Sequence, residues 1–501
     1  METIPAALAD AAQRFAGTEA VVDGPVRLTY AELAARVRTC ARFYAAAGVR
    51  PGDRIVLCSP NTHHWIVAAL AVSWAGATLV PVSTRFTGPE MLDIVERTRP
   101  AVLVVAGPFL GVDRLAALRE AGATDLPPVL RIPVEGEPEP EPGVTEWADL
   151  AGSEAEATVG PEDVADILFT SGTTGRSKGA MSSHAATLGV ARAWAELGGL
   201  AHGDRYLVVN PFFHSFGYKA GILAALTAGV TLIPQLTFDP AATLRLIERE
   251  RVTVLPGAPT IYQVLLDHPD RPGTDLSSLR LAVTGAATVP VTLVERMRSE
   301  LGFDTVLTAY GLTEAVVATM CRPGDPPETV ATTSGRAAAG FEVRVAADGE
   351  ILLRGPNLML GYLDDPAATA EAIDAGGWLH TGDAGRLDEH GNLTITDRIK
   401  DMYVSGGFNV YPAEVEQALA RLDGVVESAV VGVPDERLGE IGRVYVVIRD
   451  GVTVSTSDVI GHCKRLLANY KVPRQVEFVD SLPRNASGKV LKRELRKGDG
   501  G

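Results

Sequence analysis

Short apolar runs alternate with amphipathic helical stretches along most of this 501-residue chain, and nothing else in it restricts the fold as strongly. The runs at 54–58, 101–105, 205–209, 231–233, 252–255 and 279–283 are each the length of one strand. Helical patterns at 241–251 and 291–301 lie among them. A strand that is apolar on both faces needs cover on both. The predicted core is therefore parallel sheet with helices on either side, an α/β fold. The most apolar stretch, 65–82, is interrupted by Ser73, Gly76, Thr78 and Pro81. It predicts a buried helix running into a core strand, not a membrane span.

Two later changes of pattern divide the chain. Between 340 and 396, short strands at 341–345, 350–353 and 393–395 are separated by Gly and Asp turns. They predict a small antiparallel or barrel-like unit. After Lys400 the pattern changes again. Pro412 opens a helix with Val415, Leu419 and Leu422 on one face, followed by strands at 428–433 and 444–448 and a helix near 459–467. This is an α+β unit of about 100 residues, an ordinary domain size. The expected domains are 1–399 and 400–501, and the acidic Pro/Glu segment at 135–142 reads as a solvated connection.

Composition narrows the function classes. With 46 Lys and Arg against 62 Asp and Glu, the net charge of −16 argues against a nucleic-acid or anionic-membrane partner. Positive charge for a polyanionic substrate must be concentrated locally. Cys40, Cys58, Cys321 and Cys463 form no C-x-x-C pair and no zinc-spaced cluster. Four buried thiols in a reducing cytoplasm, without disulfides, are expected. No basic segment leading into an apolar one follows Met1, which also favours a cytoplasmic location.

One segment carries strong chemistry on its own. Thr170-Ser171-Gly172-Thr173-Thr174-Gly175-Arg176-Ser177-Lys178-Gly179 follows a strand-like run at 166–169. Its glycines let backbone fold closely around an anion, and its hydroxyls and cations supply donors. The lysine spacing is not that of the G-x-x-x-x-G-K-[ST] loop. Four other segments are weaker alone: Phe212-Phe213-His214-Ser215-Phe216-Gly217, Tyr310-Gly311-Leu312-Thr313-Glu314, Trp378-Leu379-His380-Thr381-Gly382-Asp383 and Pro483-Arg484-Asn485-Ala486-Ser487-Gly488-Lys489. A core histidine, a strand-to-helix turn, a turn-forming aspartate and a basic surface loop would explain each separately.

Taken in order, these segments resemble those of the adenylate-forming superfamily of acyl-CoA synthetases, nonribosomal adenylation domains and luciferases, over residues 28–495. Arg398-Ile399-Lys400-Asp401 matches that family's hinge, and Ser405-Gly406-Gly407 follows it. Ser177 stands where many relatives carry proline. The resemblance implies a large N-terminal domain of two αβ-sheet subdomains plus a small β-barrel, and a small mobile α+β C-terminal domain. It also implies ATP, Mg2+ and CoA, a small carboxylate as partner, and a monomer or homodimer.

Residue roles follow from the same resemblance. Thr170, Ser171, Gly172, Thr173, Thr174, Gly175 and Lys178 would enclose the β- and γ-phosphates. Tyr310 would pack on adenine with Gly285, Ala286 and Ala287 opposite, and Ala309, Gly311 and Thr313 beside it. Asp383 would accept from the ribose hydroxyls with Arg398 in support. Glu314 would bind Mg2+, and Lys489 would bridge carboxylate and nucleotide. Lys400 would be the hinge, Gly406 and Gly407 the thiol tunnel, and His214 a gate to the acyl pocket or a guide for the thiol. The pocket wall would be Phe213, His214, Tyr218, Gly257, Ala286, Ala309, Gly311, Leu312 and Val316, which suits a hydrophobic, cyclic or aromatic acid.

Segments 210–223, 253–269 and 281–299 are similar to actinobacterial CoA ligases acting on the hexahydroindanedione propanoate left by steroid rings, while 315–318 departs from that pattern. Loading of a carrier-protein thiol, or activation of nitrite for diazotisation, keeps the same first-step chemistry and stays open at this point.

Overall fold

The computed structural model describes residues 2–136, 140–151, 158–170, 177–285, 289–399, 401–405, 408–435, 437–484 and 490–496. An eight-stranded sheet runs in the order Gly361–Tyr362, Lys178–Ser183, Val164–Thr170, Thr78–Pro81, Arg54–Cys58, Val102–Ala106, Val129–Ile132, Val144–Glu146. The pairings from Val164–Thr170 through to Val144–Glu146 are parallel, and Lys178–Ser183 pairs antiparallel with both of its neighbours. The central strands Arg54–Cys58, Thr78–Pro81 and Val102–Ala106 are buried on both faces, as their unbroken apolar runs require.

A second sheet is built from two four-stranded ladders. One holds Arg205–Val208, Thr231–Pro234, Glu19–Asp23 and Val26–Thr29; the other holds Leu281–Gly285, Thr305–Tyr310, Thr319–Met320 and Arg336–Ala337. The expected strand at 252–255 is reduced to a single bridging residue. Val254 alone bridges the ladders, pairing with Tyr206 and Leu281. Hydrogen bonds still run to both sides, from Leu207 N to the Val254 carbonyl and from Leu255 N to the Leu281 carbonyl, each at 3.0 Å, but the N–H groups of Thr253 and Val254 both donate to the Arg205 carbonyl, at 2.9 and 3.1 Å, which makes the register irregular.

Helix His63–Trp74 packs against strands of both sheets. Among its residues only His64 is not buried, and the helix lacks a polar face, as a helix enclosed between two layers must. Thr62 caps it by accepting from Trp65 N at 3.3 Å. The stretch read as buried helix into core strand is therefore this helix and Thr78–Pro81.

The remaining units are antiparallel in their main pairings. Glu342–Val345, Glu350–Arg354, Leu379–Leu387 and Leu393–Arg398 form a four-stranded sheet with its own core around Phe341, Ile351, Leu353 and Leu379. Beyond it, Phe408–Val410, Tyr403–Ser405, Gly439–Ile448 and Val425–Asp435 form a sheet to which Gln475–Phe478 adds in parallel. Helices Pro412–Leu419 and Thr456–Leu466 contribute Val415, Leu419, Val459 and Cys463 to that core. All four cysteines are free and buried. Among the described residues no helix is long and apolar enough to cross a membrane.

One packing feature sets an acid limit. His184 opens helix His184–Gly198, is 1% exposed, and accepts from Ile4 N through Nδ1 at 3.4 Å. Burial pushes its pKa down to about 4 from an ordinary 6.5. Below pH 6.5 the unfolded chain binds this proton and the folded one does not. Stability must then fall with pH between 6.5 and 4, by at most about 1.4 kcal/mol for each pH unit from this group. Urea midpoints measured across that window are expected to fall less steeply in His184→Gln. An unchanged slope would remove His184 as the cause.

Candidate active site

The hairpin of Val164–Thr170 and Lys178–Ser183 brings Thr170 opposite Lys178 in register. Thr170 Oγ1 donates to the Lys178 carbonyl at 3.3 Å. Ser171, Gly172, Thr173, Thr174, Gly175 and Arg176, which connect them, lie outside the described residues. Lys178 Nζ sits 4.9 Å over the ring of Tyr362, a cation–π arrangement. Tyr362 belongs to the next strand of the same sheet and pairs with Ala180. Its hydroxyl donates to Glu314 Oε1 at 2.8 Å. Burial first, and then the Glu314 charge, push that phenol well above its ordinary range, so it stays a donor. Tyr362 thus ties the phosphate-side lysine to the half-buried carboxylate expected to meet the metal. No spacing or composition signal in the sequence singled it out.

The residues expected to meet the nucleotide gather at the ends of parallel strands Leu281–Gly285 and Thr305–Tyr310, where Gly285 pairs with Ala309. Sites outside the carboxyl ends of parallel strands are where open α/β sheets bind ligands. Tyr310 Oη donates to Asp383 Oδ2 at 2.6 Å, and Asp383 is 5% exposed. Asp383 is aimed there by its neighbours. Gly382 takes φ +68°, which favours glycine, and Thr381 Oγ1 accepts from Asp383 N at 3.1 Å while donating to the Ile351 carbonyl at 2.7 Å. Arg398 pairs with Asp383 through the backbone. Ala286 and Ala287 lie outside the described residues.

Between Tyr310 and Ala318 the chain makes a tight turn. Leu312 N donates to the Ala315 carbonyl at 3.0 Å, and Ala315 N returns to the Leu312 carbonyl at 3.2 Å. Val317 follows at φ +56°, uncommon for a β-branched side chain. The turn is held from both sides: Ala315 and Ala318 pack in the small-sheet core, Val316 and Val317 in the main one. Thr313 and Glu314 sit within it. The segment that departed from the steroid-ligase pattern is therefore the far side of the turn that places Glu314.

Among the residues expected to face the acid, His214 caps the short helix Ser215–Gly217, its Nδ1 accepting from Phe216 N at 3.3 Å. Burial lowers its pKa, which favours neutral imidazole. Asn61 clamps the segment: Oδ1 accepts from Phe212 N at 2.8 Å and Nδ2 donates to the Asn210 carbonyl at 2.9 Å. Sequence reading missed Asn61, which lies far from the motif it supports. Tyr218, fully buried 5.8 Å from Trp65, opens a π-helical turn, Tyr218–Leu223. Phe213 and Leu312 are half-buried, whereas Val316 is buried. Lys400, Gly406, Gly407 and Lys489 lie outside the described residues. A cavity of ≈ 410 Å³ between helix Pro259–Asp267 and Val426–Glu427 includes none of the candidate residues.

Residues 8–363 match the model of the AMP-binding enzyme family, and 414–489 that of the AMP-binding enzyme C-terminal domain. A 7a-methyl-1,5-dioxo-octahydroindenyl-propanoyl:CoA ligase of Rhodococcus jostii (strain RHA1) is 60% identical, over 99% of this chain and 98% of its own. The ligase of the same name in Mycobacterium tuberculosis (strain H37Rv) is 57% identical over 99% of both. The crystal structure of ATP-bound MatB from Rhodopseudomonas palustris superposes with a TM-score of 0.87 at 31% identity, over 99% of this chain and 98% of that one.

Proposed function

The chain belongs to the AMP-binding enzyme family, and from that premise we propose that the acid it activates is a saturated fused-ring propanoate bearing ketone oxygens. It is an ATP-dependent, AMP-forming acyl-CoA ligase, a class that works through an acyl-adenylate. A carboxylate oxygen bonds to the α-phosphorus of ATP as the bond to the bridging oxygen breaks and pyrophosphate leaves. The CoA thiol then gives up its proton to solvent, its sulfur bonds to the acyl carbon, and the bond from that carbon to the phosphate oxygen breaks as AMP departs. Such a reaction is governed by positioning and by charge stabilisation. Carrier-protein loading and nitrite activation give way to CoA, since the relatives matched over the whole chain are named CoA ligases.

Two observations support the acid class. Whole-length identity of 60% to a ligase named for such an acid is the one that carries it. The other is the chemistry of the acyl wall. Phe213, Tyr218, Gly257, Leu312 and Val316 are uncharged, and the neighbouring Lys219 is already bound to Asp166. Among these described residues no unpaired cation is left to hold a second carboxylate.

The residue roles are part of the same proposal. Thr170 and Lys178 flank the phosphates, with residues 171–175 between them. Tyr310 and Asp383 hold adenine and ribose, with Arg398 in support. Lys489 meets the carboxylate and the α-phosphate, Lys400 is the hinge of the domain swing, Gly406 and Gly407 line the thiol path, and neutral His214 orients the thiol. Mg2+ fits Glu314, a hard oxygen donor steadied by Tyr362. An ion held there would take its other ligands from phosphate and water. Bound there, it would offset charge on the departing pyrophosphate.

The test is a panel of acids, assayed for pyrophosphate release and for CoA thioester. A bicyclic diketo-propanoate is expected to exceed benzoate-type acids and malonate in kcat/KM by roughly 100-fold. A monocyclic aromatic acid that equals or exceeds it would overturn the acid class and leave the ligase chemistry standing.

A further inference from the structure

Beneath the acyl side lies an ion pair that the steps above do not use. Lys219 Nζ and Asp166 Oδ1 are 3.0 Å apart, with side chains 2% and 0% exposed. Lys219 also donates to Ser182 Oγ at 2.8 Å, and Thr187 Oγ1 donates to Asp166 Oδ2 at 2.8 Å. Taking two charges out of water costs more than their attraction commonly returns, so an apolar pair of similar volume would serve stability as well or better. Stability alone is a weak account of this pair.

Its placement gives a better one. Asp166 and Ser182 are register partners in the hairpin whose other end carries Thr170 and Lys178. Four steps along the strand lead from Asp166 to Thr170, roughly 13 Å. Lys219 stands on the π-helical turn that continues directly from the helix capped by His214, and is adjacent to Tyr218. Such turns are irregular and tend to mark functional sites. Thr187 comes from helix His184–Gly198, which packs on both the hairpin and the turn. The network therefore joins the phosphate side and the acyl side through three elements and two charges with fixed geometry.

We propose that Asp166 and Lys219 are positioning residues that hold the acyl-side turn at a fixed offset from the phosphate hairpin, and so set the approach of the acid carboxylate to the α-phosphate. The proposal concerns adenylation whichever acid is used. A misplacement of about 1 Å at such a site costs on the order of 100-fold in rate.

The test is the double variant Asp166→Asn/Lys219→Met, which removes both charges together, beside each single change. The singles leave one buried charge unpaired and are expected to melt well below the parent; the double is expected to melt close to it. In the double, kcat for acid-dependent ATP–pyrophosphate exchange is expected to fall by on the order of 100-fold. The KM for ATP should stay near the parent's, since Tyr310 and Asp383 are untouched. Thioester formation from preformed acyl-adenylate and CoA should keep its rate. Parental kcat in the folded double variant would overturn the proposal, as would equal slowing of both half-reactions. Should the double variant not fold, Ser182→Ala/Thr187→Val keeps both charges but loosens them. A selective fall in adenylation kcat is expected there too, and parental kcat would overturn the proposal in the same way.

Discussion

Replacing Gly311 with alanine is expected to lower acyl-adenylate formation by about 100-fold while leaving the protein folded. A Cβ at this position would lie 2.5 Å from Val317 N, 3.0 Å from the Ala315 oxygen and 3.3 Å from the Val316 carbonyl carbon. These are backbone atoms, which cannot rotate aside as a side chain could. They are also fixed: Ala315 is locked to Leu312 by two hydrogen bonds, and Val317 is buried at φ +56°. The turn must therefore open, and Thr313 and Glu314 move with it. Glu314 is tied to Tyr362, and Tyr362 lies under Lys178, so the phosphate side loses its alignment as well. ATP–pyrophosphate exchange measures the effect directly. Gly17→Ala is the control, since nothing lies within 4 Å of the added carbon there. Parental exchange in Gly311→Ala would mean that the turn has slack, and that its closeness to Val317 is not needed for chemistry.

The same turn shows where reading the sequence succeeded and where it stopped. Tyr310–Glu314 stood out because its residue types suit a nucleotide, and the local segment does place Tyr310 at a strand end. What holds Glu314 is a phenol 48 positions away, brought in by a two-residue strand on the edge of another sheet. Asn61 and the Asp166–Lys219 pair are the same kind of case. Each is an ordinary polar residue whose meaning comes only from a distant partner, so no periodicity or spacing could reveal it. The strands were legible because burial on both faces leaves an unbroken apolar run. That signal was less exact at 252–255, where burial holds and hydrogen bonds run to both neighbouring strands but only Val254 pairs in register, because two successive N–H groups converge on one carbonyl. Apolar pattern reports burial; pairing depends on neighbours the pattern does not contain.

Changing Asp383 to asparagine is expected to raise the KM for ATP by roughly 100-fold with a smaller effect on kcat. Asparagine preserves size and shape, so the packing around a side chain that is 5% exposed should survive. The chemistry does not survive. A carboxylate is acceptor-only, whereas one side of the amide is a donor. Tyr310 Oη donates to Asp383 Oδ2 at 2.6 Å, so either this bond or the proposed bond from ribose must face the wrong partner. Hydrogen bonds to a charged acceptor are worth about 1.5–3 kcal/mol each, and losing one or two gives an effect of this order. Tyr310→Phe separates the contributions. It removes the phenol's bond and keeps the carboxylate, so a smaller rise in KM is expected. Ribose recognition supplies the decisive comparison: 2′-deoxy-ATP should bind the parent more weakly than ATP, and the asparagine variant should discriminate little between them. An asparagine variant that discriminates as well as the parent would detach Asp383 from the ribose and leave it a structural partner of Tyr310.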